Sequence, residues 1–191
     1  MDIKWSEGTW TNKPAGIRDD DGLLVEAAEG SDAWRQTSYG FVHDTEHALL
    51  REWPVSTAVE VDFVADFAQQ FDQAGLFIAG EDSQHWVKAG IELSDGILQL
   101  GAVVTNPKSD WSVAPVPDWN GKTITIRASR TGDAVTLRAR AEGGDWQFMR
   151  VFPVREQAQL KAGPMVCAPT RAGLQVRFTG WRLEEPDSGL H

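Results

Sequence analysis

A chain of 191 residues with 41% apolar content is long enough to bury one sizeable core without disulfide or metal staples. Its formal net charge of −10 argues against a nucleic-acid backbone or an anionic membrane as partner. A single cysteine, Cys167, excludes internal disulfides and a cysteine-rich metal site, and its neighbours Val166 and Ala168 read as a buried strand.

Residues 5–10 open the domain, followed by a loop with Pro14, Gly16 and the acidic run Asp19-Asp20-Asp21-Gly22. Residues 23–28 read as a strand, Ser31-Asp32 as a turn, and 34–42, 48–53 and 57–65 as further strands. Residues 106–120 read as a long loop carrying Trp111 and Trp119 among prolines. Strands at 122–129 and 135–142 are joined through Thr131-Gly132-Asp133, and the Gly143-Gly144 turn leads into a strand at 146–154. Residues 157–163 read as a short helix or an irregular turn. Strands at 164–168 and 174–184 complete a single domain over 1–185, with 186–191 as a flexible tail. No long amphipathic helix pattern occurs. Short strands punctuated by turn residues predict an all-β sandwich or barrel, and about a dozen of them favour two stacked antiparallel sheets. The N-terminal MDIKWSEGTW lacks the apolar stretch of a signal peptide, and no apolar run is long enough to cross a bilayer. The expectation is a cytoplasmic protein.

The segment 72–104 is the most legible. Ala74, Leu76 and Ile78, then Val87, Ala89, Ile91 and Leu93, then Leu98, Leu100, Ala102 and Val104 alternate with more polar or smaller residues. Period-two alternation marks strands with one buried face. Asp95-Gly96 is a strong hairpin signal, because both central positions of a tight turn require positive φ. A two-residue turn there pairs Glu92 with Gln99 and Gly90 with Gly101. Pairing Ala79 with Trp86 across the preceding loop sets Gly75 against Gly90 and Gln73 against Glu92. Three glycines then lie in one row beside Gln73, Glu92 and Gln99. Glycine inside a strand often marks close approach of a ligand or another backbone. The predicted site is therefore a groove with a bare floor and polar walls.

The stretches Tyr39-Gly40-Phe41, DQAG from Asp72 to Gly75, WVKAGIE from Trp86 to Glu92, and SDWS from Ser109 to Ser112 resemble the "regulation of enolase" family. Four motifs in order make the resemblance span nearly the whole chain. It implies a concanavalin-A-like jelly-roll sandwich of two antiparallel sheets, related to sandwich domains that accompany β-xylosidases. The concave sheet is the usual sugar-contacting surface of that superfamily. The resemblance implies no particular reaction.

Lys88 and Glu92 fall on one strand face with their backbones about 13 Å apart, so each needs a partner on a neighbouring strand or in a ligand. In the functional reading Glu92 accepts from sugar hydroxyls, and Lys88 is a donor or an anion anchor. In the structural reading both are ordinary solvent-facing residues. Trp86 shares that face, as a stacking platform or a rim residue. Trp111 sits on the loop beside the third strand, where Asp110 and the flanking serines are expected to bond backbone amides. Glu60-Val61-Asp62 invites comparison with laminarinase-type glycosidases, but Phe63, Val64 and Ala65 occupy the stretch where a second catalytic carboxylate would stand. Asp19 to Asp21 lacks the spacing of a calcium loop and reads as a solvated charge run. His43, His47, His85 and His191 are too scattered for a metal site, and no nucleophile elbow, P-loop or dinucleotide fingerprint occurs.

The reading is a domain that binds a carbohydrate or small polar ligand on one sheet face without catalysis, cofactor or metal. The expected ligand-binding residues are Gln73, Gly75, Trp86, Lys88, Gly90, Glu92, Gln99, Gly101 and Trp111. Two alternatives stand beside it. One is a glycan- or sugar-acid-processing enzyme using Glu92 and Lys88; the other is a regulatory protein acting on a metabolic enzyme.

Overall fold

A computed structural model describes residues 1–64 and 66–190. In chain order the strands are β1 (Thr9–Trp10), β2 (Gly16–Asp19), β3 (Leu23–Glu26), β4 (Ala33–Arg35), β5 (Val42–Asp44), β6 (His47–Trp53), β7 (Ala58–Val64) and β8 (Gln73–Ala79). They continue as β9 (Trp86–Ser94), β10 (Ile97–Thr105), β11 (Ser109–Pro115), β12 (Thr123–Thr131), β13 (Ala134–Ala141), β14 (Gln147–Pro153), β15 (Leu160–Cys167) and β16 (Gln175–Glu184). Among the described residues the helical elements are two 3-10 turns, Trp5–Glu7 and Pro117–Trp119.

Two seven-stranded antiparallel sheets stack as a concanavalin-A-like jelly-roll sandwich. One runs β1-β6-β15-β8-β9-β10-β11 and carries the site; the other runs β14-β13-β12-β7-β16-β3-β2. Their facing sides make the core. Leu76, Ile78, Ile91 and Leu100 of the first sheet meet Val61, Phe63, Ile126 and Leu137 of the second. Burial of this apolar area is the main term holding the sheets together.

The register follows from the Asp95-Gly96 turn, where φ is +52° and +74°. Gln99 faces Glu92 and Gly101 faces Gly90 across β9–β10, while Gly75 faces Gly90 and Gln73 faces Glu92 across β8–β9. Each pairing is the one read from the sequence.

Five segments depart from that reading. Residues 34–42 are two short strands, β4 and β5, closed by a tip in which Gln36, Ser38 and Gly40 all have positive φ. Residues 109–115, expected within a long loop, form β11, a sheet-edge strand exposed beyond Ser109. An edge strand with little to bury carries no apolar alternation, so the pattern does not announce it. Residues 16–19, also expected in a loop, pair with β3 as β2. No helix forms at 157–163; a turn at residues 155–158 leads into β15, which begins at Leu160. The end of the strand expected at 57–65 includes Ala65, which lies outside the described residues. Residues 186–190, expected to trail from the domain, contact the second sheet: Asp187 accepts hydrogen bonds from Arg127 and Arg138, and its amide donates to Ser129 Oγ.

Candidate functional site

The outward face of β8, β9 and β10 is not an open floor. The β4–β5 hairpin folds over part of it, enclosing a second apolar cluster of Ala33, Ala48, Leu50, Phe77, Trp86, Val103, Met165 and Cys167. Local bonds place the hairpin. Ser31 Oγ donates to the Ala28 carbonyl at 2.7 Å and accepts from the Ala168 amide at 2.9 Å. The Arg35 amide donates to Ser109 Oγ at 2.9 Å, and Ser109 Oγ lies 2.9 Å from Thr105 Oγ1. The serine that opens the SDWS motif therefore fastens the hairpin to β10 and β11. Asp110 pairs with Arg150 at 3.0 Å rather than with a turn amide.

This placement brings Asp32 over the sheet. Its Oδ1 accepts from the Ala33 amide at 2.8 Å and from Lys88 Nζ at 2.8 Å. Lys88, 7% exposed, also donates to Gln73 Oε1 at 2.8 Å. Burial acts to lower the lysine pKa, but the negative neighbours, Asp32 foremost, leave it above the ordinary value. Lys88 is not solvent-facing, and its ammonium is engaged by Asp32 and Gln73.

Glu92 is the unsatisfied member. The residue is half-buried, yet its Oε1 is enclosed and contacts no donor. Burial raises its pKa to about 7, against the downward pull of Lys88 and with a further upward push from Asp32. A buried carboxylate oxygen without a partner is costly and calls for an explanation. Glu46, at the edge of the same face, is 7% exposed, and burial raises its pKa too. Burial likewise pushes the Cys167 thiol well up, so this cysteine is inert.

A shallow groove of about 30 Å³ runs along this face, lined by Gln73, Lys88, Gly90, Glu92, Gly101 and Trp111 with Val103, Val113 and Met165. Of the nine residues singled out from sequence, these first six converge. Gly75 is buried and Gln99 half-buried, both outside the lining. Trp86 is corrected: 8% exposed, it stacks on Phe77 at 5.5 Å inside the cluster under the hairpin, so it offers no platform.

The glycine row has a backbone cause. A β-carbon on Gly75 would lie 2.6 Å from the Gly90 Cα, and one on Gly90 would lie 2.8 Å from the Gly75 Cα. Close approach of two strands, not of a ligand, demands glycine at these two positions. The bare floor at Gly90 and Gly101 is a by-product that leaves room above it.

At the groove mouth Trp111, 42% exposed, meets Trp34 edge-on at 6.4 Å. From Trp34 the aromatics continue to Tyr39 at 5.8 Å and Phe41 at 5.3 Å beyond it, with Tyr39 65% exposed. Sequence reasoning left Trp34, Tyr39 and Phe41 out of the site, although the YGF motif was a signal for them.

The glycosidase comparison is settled by location. Glu60 and Asp62 stand on the second sheet, both bound to Arg182, with Arg127 Nη1 donating to Glu60 at 2.7 Å and Thr125 Oγ1 to Asp62 at 2.7 Å. The acidic run is the β2–β3 hairpin turn, whose Asp20 and Asp21 carbonyls accept from Arg177. Among the described residues no three histidine, cysteine or acidic side chains converge on a metal position. No helix among the described residues is long and apolar enough to cross a membrane.

Comparison with known proteins decides the lineage. The family model described as "Protein of unknown function (DUF1349)" matches residues 10–186. "Regulation of enolase protein 1" of Saccharomyces cerevisiae is 36% identical over 182 residues, covering 95% of this chain and 91% of the yeast protein. The chain belongs to this family. A crystal structure of a functionally unknown protein from Saccharomyces cerevisiae superposes with a TM-score of 0.89 at 35% identity, over 97% of this chain and 100% of that one. The family fold also matches xylan β-1,4-xylosidase from Bacillus halodurans C-125, with a TM-score of 0.67 at 16% identity. That match covers 86% of this chain but 33% of the xylosidase, and at such identity it speaks for the fold alone.

Proposed function

We propose that this family member binds a carbohydrate or a similarly small polyhydroxyl ligand in the groove between Glu92 and Trp111, without transforming it. The observation that carries the reading is the enclosed Glu92 oxygen with no donor, on a residue that lines a shallow groove beside Trp111. A hydroxyl entering the groove would supply the missing hydrogen bond, and the Trp111 ring would cover an apolar ring face. Lys88, Asp32 and Gln73 hold one another and set the shape of the wall. That pre-organisation limits the ordering cost of binding. The presence of the same fold in a xylosidase is consistent with sugar recognition and adds no specificity.

One observation favours a second reading, acid–base catalysis: Glu92 has a pKa of about 7, the range suited to proton transfer at neutral pH. Other titratable groups on this face are committed or peripheral: Lys88 and Asp32 are bonded to each other, and Glu46 stands outside the groove lining. The test is a protein-observed NMR screen against neutral sugars, amino sugars and sugar acids, with bound compounds then analysed by mass spectrometry. Shifts at Trp111 and Glu92 that vanish in Glu92→Gln, with the compound recovered unchanged, support binding alone. A product absent with Glu92→Gln establishes the enzyme instead, and a screen with no shift at the groove removes both.

A further inference from the structure

Resting on the groove as a binding site, we infer that its ligand carries a protonated amine, seated between the Glu92 carboxyl and the Trp111 ring. The argument begins with a charge inventory. Three carboxyl groups, Asp32, Glu46 and Glu92, surround one ammonium, that of Lys88. Lys88 is bonded to Asp32 at 2.8 Å. Among the described residues neither Glu46 nor Glu92 has an ion-pair partner within 4.0 Å. The cross-strand neighbours of Glu92 are Gln73 and Gln99, which bring no charge. With Glu46 and Glu92 ionised the site would hold more negative than positive charge, within a chain of net charge −10.

Three ligand classes respond differently to that inventory. An anion such as a sugar acid would meet unpaired carboxyls and a single cation already bonded to Asp32 and Gln73. A neutral hydroxyl would satisfy the Glu92 oxygen and leave the charge unbalanced. An ammonium would do both, adding its own charge to a hydrogen bond that the ionised carboxylate already strengthens. The exposed Trp111 ring on the groove wall adds the face that attracts cations. Ionised Glu92 would then be the bound form, so ligand and proton compete for the same carboxyl.

A matched trio of small probes tests this directly: Tris, a triol bearing an ammonium; pentaerythritol, its neutral counterpart; and 2,2-bis(hydroxymethyl)propionate, an anion of similar size. Each is titrated at pH 7 while the Trp111 indole signal and the Glu92 carboxyl carbon are followed by NMR. Tris is expected to shift both at concentrations at least about tenfold lower than pentaerythritol. It is also expected to lower the Glu92 titration midpoint. Glu92→Gln is expected to abolish that preference, and Trp111→Ala to reduce it. If pentaerythritol matches Tris, the inference falls while polyol binding stands. The inference also falls if the carboxylate probe binds best, if none of the three moves these signals, or if Glu92→Gln keeps the Tris preference. The neutral-sugar screen judges the binding site itself separately.

Discussion

Gln73 stands directly across from Glu92 on the adjacent strand, yet gives it nothing. The Gln73 carbonyl oxygen accepts from Lys88, and its amide nitrogen donates to the Phe71 carbonyl at 3.3 Å. The neighbour best placed to satisfy Glu92 is thus committed elsewhere at both ends, and the carboxyl oxygen stays free for an arrival from outside.

The first prediction concerns pH. Glu92 has a folded pKa of about 7, above its value in the unfolded chain. Between the two values the folded state holds more protons than the unfolded one, so stability falls as pH rises through roughly 4.5 to 7. The penalty above pH 7 is on the order of 3 kcal/mol at most. Glu46, also raised by burial, adds loss of the same sign. Glu92→Gln should therefore melt higher than the parent at pH 8 and lose much of that pH dependence. Thermal melts at pH 5 and pH 8 check it; a variant less stable at pH 8 contradicts a carboxyl that is strained in the empty groove.

The second prediction concerns Lys88. Lys88→Met removes the only charged partner that Asp32 has among the described residues. Asp32 keeps partial solvent contact, so the expected loss is about 2–3 kcal/mol, below the range for a fully buried pair. Adding Asp32→Asn should recover part of it. Urea denaturation of the two single variants and the double variant gives the coupling; strict additivity would show that the pair does not hold the hairpin.

For the glycine row, Gly90→Ala should cost about 3 kcal/mol or more, since the obstacle is the Gly75 backbone rather than a movable side chain. A denaturation midpoint within error of the parent would show that the two strands can part without penalty.

The aromatic strip yields the opposite expectation. Tyr39→Ala and Trp111→Ala alter exposed rings, so stability should move by no more than about 0.5–1 kcal/mol. Groove binding should weaken, more for Trp111, which lines the cavity, than for Tyr39. Calorimetry with a ligand from the screen measures this, and unchanged affinity in both variants would remove the strip from the site.

What the sequence disclosed and withheld follows a physical line. Residues 72–104 disclose their register because Asp95-Gly96 fixes a two-residue turn and alternation fixes the faces. The same alternation labels the Trp86, Lys88 and Glu92 face as outward without showing what lies over it. The cover comes from Ala33 and Trp34, some fifty residues earlier, and with it arrive Asp32 and the burial of Trp86. No local pattern marks Asp32, which reads as an ordinary turn residue beside Ser31. Glu46 is hidden for a similar reason: it precedes β6 by one residue, and β6 reaches this face only through β15, which pairs with both β6 and β8.

The two sheets differ in how their charges are completed. On the second sheet Glu60, Asp62, Arg127, Arg182 and Asp187 close a circuit in which each carboxylate meets a guanidinium. On the first, the equivalent ledge ends in an acid with no base. The molecule thus contains its own standard of comparison. Beside that paired cluster Glu92 stands out as an enclosed acid without a base, which supports the proposed ligand role.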